Sequence, residues 1–148
     1  MIVFAVYFVL LFYFLFFAEA MGRTGSLHET YHYNLVLFKE IRRFIEYREV
    51  LGAKAVMLNL AGNVVAFMPF GILVPAIFKR FRKVFTVVLL SLELSLTVEI
   101  LQLVAKVGSF DVDDLLLNTL GGLVGYVCFV VAVSIRRKVY DRNKTQDA

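Results

Sequence analysis

The chain reads as an all-α integral membrane protein with four transmembrane helices and an amphipathic helix on the outer interface between the first two. Three observations carry that reading. Its 148 residues are the length of one domain, yet 60% are hydrophobic and 19% charged, too apolar for a soluble globule of that size. Four charge-poor runs, 1–18, 55–78, 84–104 and 115–135, approach or exceed the roughly 17 to 25 residues that cross a bilayer as a helix. Lys79, Arg80, Arg82 and Lys83 lie between the second and third runs, and Arg136, Arg137, Lys138, Arg142 and Lys144 follow the fourth. Cytoplasmic loops carry such an excess of cations. The expected organisation is therefore a first transmembrane helix at 1–18, an extracytoplasmic loop with the amphipathic helix at 19–54, a core of three transmembrane helices at 55–135 and a basic cytoplasmic tail at 136–148. Both termini then face the cytoplasm.

The first run is dense in Phe and Tyr and ends in Ala18-Glu19-Ala20, which has the form of a signal-peptidase site. Its apolar stretch is longer than a usual signal core and no Lys or Arg precedes it, so a retained helix is expected. In the second half of the hydrophilic segment, Leu37, Ile41, Phe44, Ile45 and Leu51 fall on one side of a helix. Lys39, Glu40, Arg42, Arg43, Glu46 and Glu49 take the rest, and Gly52 supplies a stop. A helix lying on the membrane surface fits this pattern. A connector helix packed on the bundle fits it equally.

His28-Glu29-Thr30-Tyr31-His32 has the H-E-x-x-H form in which two histidines on a helix bind zinc and the glutamate acts as base. Gly22, Gly25 and Ser26 before it and Asn34 after it mark a loop rather than a packed helix, so no metal site is expected at His28 and His32. Cys128, the single cysteine, excludes a disulfide framework and a cysteine-based zinc site. No cofactor motif is present either.

In the second run Asn59 and Asn63 share a face, with Gly62 and Ala66 as small residues that let helices approach closely. Pro69, Gly71 and Pro75 predict a kink or break, serving either packing or a gate. The most informative stretch is 99–125. Ser91, Ser95, Glu99 and Gln102 recur at helical spacing, as do Asp111, Asp114, Asn118, Gly122 and Gly125 after a short turn, so two polar and small-residue stripes face each other. A carboxylate inside a span costs about 3 kcal/mol on insertion scales, so such a residue points to a functional site.

Each of these positions also has a structural explanation. Asp111 sits where a helix N-cap would, and Asp113 and Asp114 lie in the first turn, where acids satisfy free amides. Capping alone is able to explain all three; for Asp113 capping and a functional role stand equal, whereas Asp111 and Asp114 share a face with Asn118, which no capping argument reaches. Glu99 and Gln102 lie either in a site or near the outer interface. Gly121, Gly122 and Gly125 are expected to be close-packing positions. Glu93 is on a different face. The candidate pocket is therefore Asn63, Glu99, Gln102, Asp111, Asp114 and Asn118, with Glu99 and Asn118 expected to share a site across the two helices; no catalytic residue is assigned.

The run Asn63-Val-Val-Ala-Phe67-Met-Pro69-Phe-Gly71-Ile-Leu-Val-Pro75, then Glu99-x-x-Gln102, then Phe110-Asp111-x-Asp113-Asp114-x-x-x-Asn118-x-x-Gly121-Gly122-x-x-Gly125, resembles the VanZ-like family of small bacterial membrane proteins. Asn34-Leu-Val-Leu-Phe38-Lys-Glu-Ile41 is similar to a further family element, with Leu37 where a proline is usual. Gly108 stands where many relatives have an arginine. The resemblance implies a bacterial cytoplasmic-membrane location, a cell-envelope role and a link to low-level resistance to the glycopeptide teicoplanin. It implies no settled reaction.

Two function classes follow. In the first, the protein binds or modulates the response to a glycopeptide, a lipid-linked wall precursor or a lipid head group at the outer leaflet. In the second, it is an intramembrane enzyme acting on a lipid or lipid-linked precursor, with Glu99 or Asp114 as general base. The absence of a nucleophile motif, a phosphate-binding glycine loop and a metal set weighs against the enzyme. Partners are the lipid bilayer and such a ligand, with no nucleic acid and the oligomeric state open.

Overall fold

A computed structural model describes residues 2–14, 16, 33–47, 49 and 53–146, apart from the side chains of 53–59 and 145–146. Its elements in order are α1 (Ile2–Tyr13), β1 (Tyr33–Asn34), α2 (Lys39–Glu46), α3 (Ala53–Ile77), a 3-10 turn (Lys79–Phe81), α4 (Val84–Ala105), β2 (Phe110–Asp111) and α5 (Val112–Gln146). Three helices are long and apolar enough to cross a membrane, with segments Leu60–Ile77, Val84–Ala105 and Val112–Lys144, and α1 is a shorter apolar helix. The fold is thus all-helical and membrane-like, with one two-residue parallel strand pair that the sequence does not announce. His28, His32 and the end of the first apolar run lie outside the described residues.

Glycines set how the spans pack. A Cβ on Gly121 would stand 2.2 Å from the Val64 carbonyl oxygen, one on Gly125 2.0 Å from that of Met68, and one on Gly71 2.0 Å from that of Gly122. Since Val64 and Met68 meet Gly121 and Gly125 in ascending order, α3 and α5 run parallel, backbone against backbone. The expected close-packing role of the α5 glycines is what these distances describe. On α3 the close approach falls at Gly71, whereas Gly62 has nothing within 4 Å among the described residues. α4 runs antiparallel to α5: Ser95 meets Asn118, and one turn on, Ser91 lies against Gly122.

Of the expected kink or break at the prolines, the break does not occur. α3 continues as one helix through Pro69 and Pro75. Proline removes a donor and crowds the preceding turn, and here polar groups from elsewhere reach the carbonyls of this region. The Tyr7 hydroxyl donates to the Ala66 carbonyl at 3.0 Å, and Arg82 Nε donates to the Pro75 carbonyl at 3.1 Å. The first of these bonds also docks α1, whose Phe4 and Phe8 rings lie 6.3 and 6.2 Å from Phe70.

The interior is unlike that of a water-soluble domain. Phe67, Phe70, Val74, Val87 and Val98 are buried, but so are Asn34, Ser91, Ser95, Glu99, Gln102, Asp111, Asp113 and Asn118, while Val65, Phe85, Leu89, Ile100, Val104 and Val131 are exposed. In lipid, apolar exposure costs nothing and polar groups are the ones that must turn inward.

α2 is shorter than the sequence pattern predicts. It begins only after Leu37, with Ile41 and Phe44 half-buried and Ile45 exposed; Leu51 and Gly52 lie outside the described residues.

Candidate functional site: a polar cluster at the α4–α5 turn

Lys106 ends α4 in the left-handed conformation, φ 56°, its amide reaching the Gln102 and Leu103 carbonyls. The chain then folds back beside the helix it has just left. The Asp111 amide donates to Glu99 Oε2 at 2.9 Å, which ties the start of α5 to a carboxylate well below the end of α4. Glu99 is 2% exposed and Gln102 3%, so both are enclosed by the bundle.

Asp111 caps α5 as its position predicts: Oδ1 accepts the Asp113 amide at 2.8 Å. The same oxygen accepts Asn34 Nδ2 at 3.2 Å. Burial pushes the Asp111 carboxyl above its ordinary range, and the nearby Asp113 and Glu40 charges add to that, while the Asp113 amide and Asn34 pull it down. Asn34 in turn closes a turn of its own, accepting the Val36 amide on Oδ1. The strand register Tyr33↔Phe110 and Asn34↔Asp111 brings these two side chains together.

Asp113 serves another helix rather than capping its own. It is 1% exposed, and its carboxylate accepts the amides of Phe38, Glu40 and Ile41. Phe38, the residue before α2, has φ 64° and no side-chain cap of its own. Asp113 therefore caps α2 from another helix, and three amides that an isolated helix end leaves unpaired are satisfied by one buried carboxylate.

Asp114 and Asn63 form the second half of the cluster. Asn63 Nδ2 donates to Asp114 Oδ1 across the parallel α3–α5 seam, and both residues are half-buried rather than enclosed. Asn118 lies one turn further along α5, 1% exposed. Its Nδ2 donates to Ser95 Oγ at 2.9 Å, so its partner on α4 is Ser95 rather than Glu99, one turn away. Its Oδ1 is buried without a hydrogen-bond partner among the described residues.

The six candidates thus fall at one end of the bundle in two linked groups: Glu99 and Asp111 bonded to each other with Gln102 buried a turn away on the same helix, and Asn63 bonded to Asp114 with Asn118 behind. Reasoning from sequence missed Asn34 as a partner and the cross-helix role of Asp113; it placed Ser95 on the stripe facing α5 but left it out of the pocket. The signal for Asn34 was present in the family-like element 34–41, but nothing local ties Asp113 to α2. Among the described residues no group of three or more His, Cys, Asp or Glu is placed to hold a metal ion.

A family model described as VanZ/LLP1 matches residues 4–133, nearly the whole chain and all of this cluster. The chain belongs to the VanZ/LLP1 family. A curated member, Protein VanZ of Enterococcus faecium, is similar to it, 43% identical over 69 residues that cover 45% of this chain and 41% of the relative. Less than half of that relative's length is therefore matched. No solved structure matches this chain. With three spanning-length helices and a shorter apolar one, this VanZ-family chain is a multi-pass membrane protein.

Proposed function

We propose that this protein crosses a bacterial cytoplasmic membrane four times, with both termini in the cytoplasm and α2 on the outer interface. In this reading it engages an amphiphilic envelope molecule at the outer leaflet: a glycopeptide such as teicoplanin, a lipid-linked wall precursor or a lipid head group. The observation that carries the reading is the half-buried Asn63–Asp114 pair, a carboxylate and an amide joined across the α3–α5 seam. A carboxylate there recognises ammonium and hydroxyl groups, and the amide side chain adds a donor and an acceptor. Family membership and the similarity to Protein VanZ support an envelope context.

Glu99, Gln102 and Asn118 lie behind this pair in the proposal and fix its geometry, with the unpartnered Asn118 oxygen as the innermost acceptor. The proposal is tested by comparing cells with and without the protein for teicoplanin sensitivity, lipid composition and wall precursors. Altered sensitivity with unchanged covalent products is the result expected. A new or missing covalent product would replace it with the enzymatic reading, in which Asp114 or Glu99 moves a proton.

A further inference from the structure

The segment 35–38 consists of Leu35, Val36, Leu37 and Phe38, and all four are at least half exposed, at 65%, 62%, 50% and 55%. An apolar surface of this kind in a loop marks contact with something apolar. The chain does not leave it there by default. Phe38 is held at φ 64°, a conformation a bulky side chain rarely adopts, and such a residue persists only where its surroundings over-determine it. Here the surroundings are Asp113 on one side and the Asn34 turn on the other.

Six amides between Val36 and Arg42 are bonded within the protein. The amide of Val36 goes to Asn34 Oδ1, that of Phe38 to Asp113, Lys39 to the Val36 carbonyl, Glu40 and Ile41 to Asp113, and Arg42 to the Phe38 carbonyl. Water ordinarily serves a surface loop of this length, and non-helical backbone survives at membrane depth only when its polar groups are satisfied internally. The depth agrees. β1 pairs with β2, whose Asp111 amide is bonded to Glu99, and α4 continues six residues beyond Glu99 to Ala105. At 1.5 Å per residue the strand pair lies roughly 9 Å below the end of that helix, alongside turns where Ile100, Leu101 and Val104 are exposed.

The geometry points to a membrane-dipping loop: Leu35, Val36, Leu37 and Phe38 insert among lipid at the boundary between head groups and acyl chains, and Asn34 and Asp113 hold the backbone in a form that lipid tolerates. The partner is the bilayer itself. α2 follows directly, and its exposed Lys39, Arg42 and Arg43 return the chain to head-group level. This inference uses only the spans and the depth of the strand pair, so it stands or falls separately from the ligand proposed for Asn63 and Asp114.

The protein contains no tryptophan, so a single introduced one reports its own surroundings. The full chain carrying Leu37→Trp, or Leu35→Trp, is reconstituted in phosphatidylcholine–phosphatidylglycerol vesicles, with Tyr140→Trp on the exposed tail of α5 as the aqueous reference. The loop variants are expected to emit at shorter wavelength than the reference, to be quenched severalfold more by lipids brominated on the acyl chains, and to be shielded from iodide. Adding Asp113→Asn to Leu37→Trp should shift emission toward the reference; if that double variant does not accumulate, the single-tryptophan result still decides. Iodide access equal to the reference overturns the inference, and so does shielding without bromine quenching, which indicates a protein cover instead.

Discussion

The Asp113 carboxylate holds the amides of Phe38, Glu40 and Ile41, while its neighbour Asp114 meets Asn63 on another helix. Both were recognisable as costly residues at a span boundary, but sequence spacing describes only one helix at a time. The face that Asp111, Asp114 and Asn118 share was legible for that reason, and the capping of α2 by Asp113 was not, since it depends on a tertiary contact between distant segments. Asp111 yields a test by pH. Its carboxyl is raised in the folded state, first by burial, so between its unfolded and folded values the native chain binds more protons than the unfolded one. Stability contributed by this group therefore falls as pH rises through that window. Asp111→Asn keeps an acceptor for Asn34 and the Asp113 amide but cannot titrate. The thermal midpoint of the wild type in detergent should decline from acid toward neutral pH more steeply than that of Asp111→Asn.

At the scale of elements, composition and length announced α3, α4 and α5 because a bilayer demands long apolar helices and little else. What they did not announce is how each helix is continued or stopped. Pro69 and Pro75 predicted a kink or break, and α3 runs on unbroken, with Tyr7 and Arg82 bonded to carbonyls along it. Glycine spacing gave the right seam on α5 and the wrong residue on α3, since Gly62 and Gly71 cannot be told apart without the partner helix. Gly125→Ala should cost about 1–3 kcal/mol through overpacking against the Met68 carbonyl. Gly62→Ala meets nothing among the described residues and should be neutral or gain up to about 1 kcal/mol of helix propensity. Denaturation of both variants in the same detergent measures the contrast.

For the whole molecule, the exposed cations at 79–83 and 136–144 gather at the end opposite the polar cluster, as the antiparallel course of α4 requires. That separation gives the proposed orientation a direct check. In a Cys128→Ser background, Ser109→Cys should react with an impermeant thiol reagent added outside cells, and Lys79→Cys and Asn143→Cys should not; the opposite pattern inverts the protein. The central claim is that the two adjacent acids divide structure from recognition, and parallel variants in cells test it most directly. Asp113→Ala leaves three amides without an acceptor, at about 1–3 kcal/mol each, and should lower the amount of protein in the membrane. Asp114→Asn keeps the shape and removes the charge. Measured together as membrane abundance and teicoplanin sensitivity, Asp114→Asn should accumulate like the wild type and behave like cells that lack the protein; wild-type sensitivity at wild-type abundance would contradict the account.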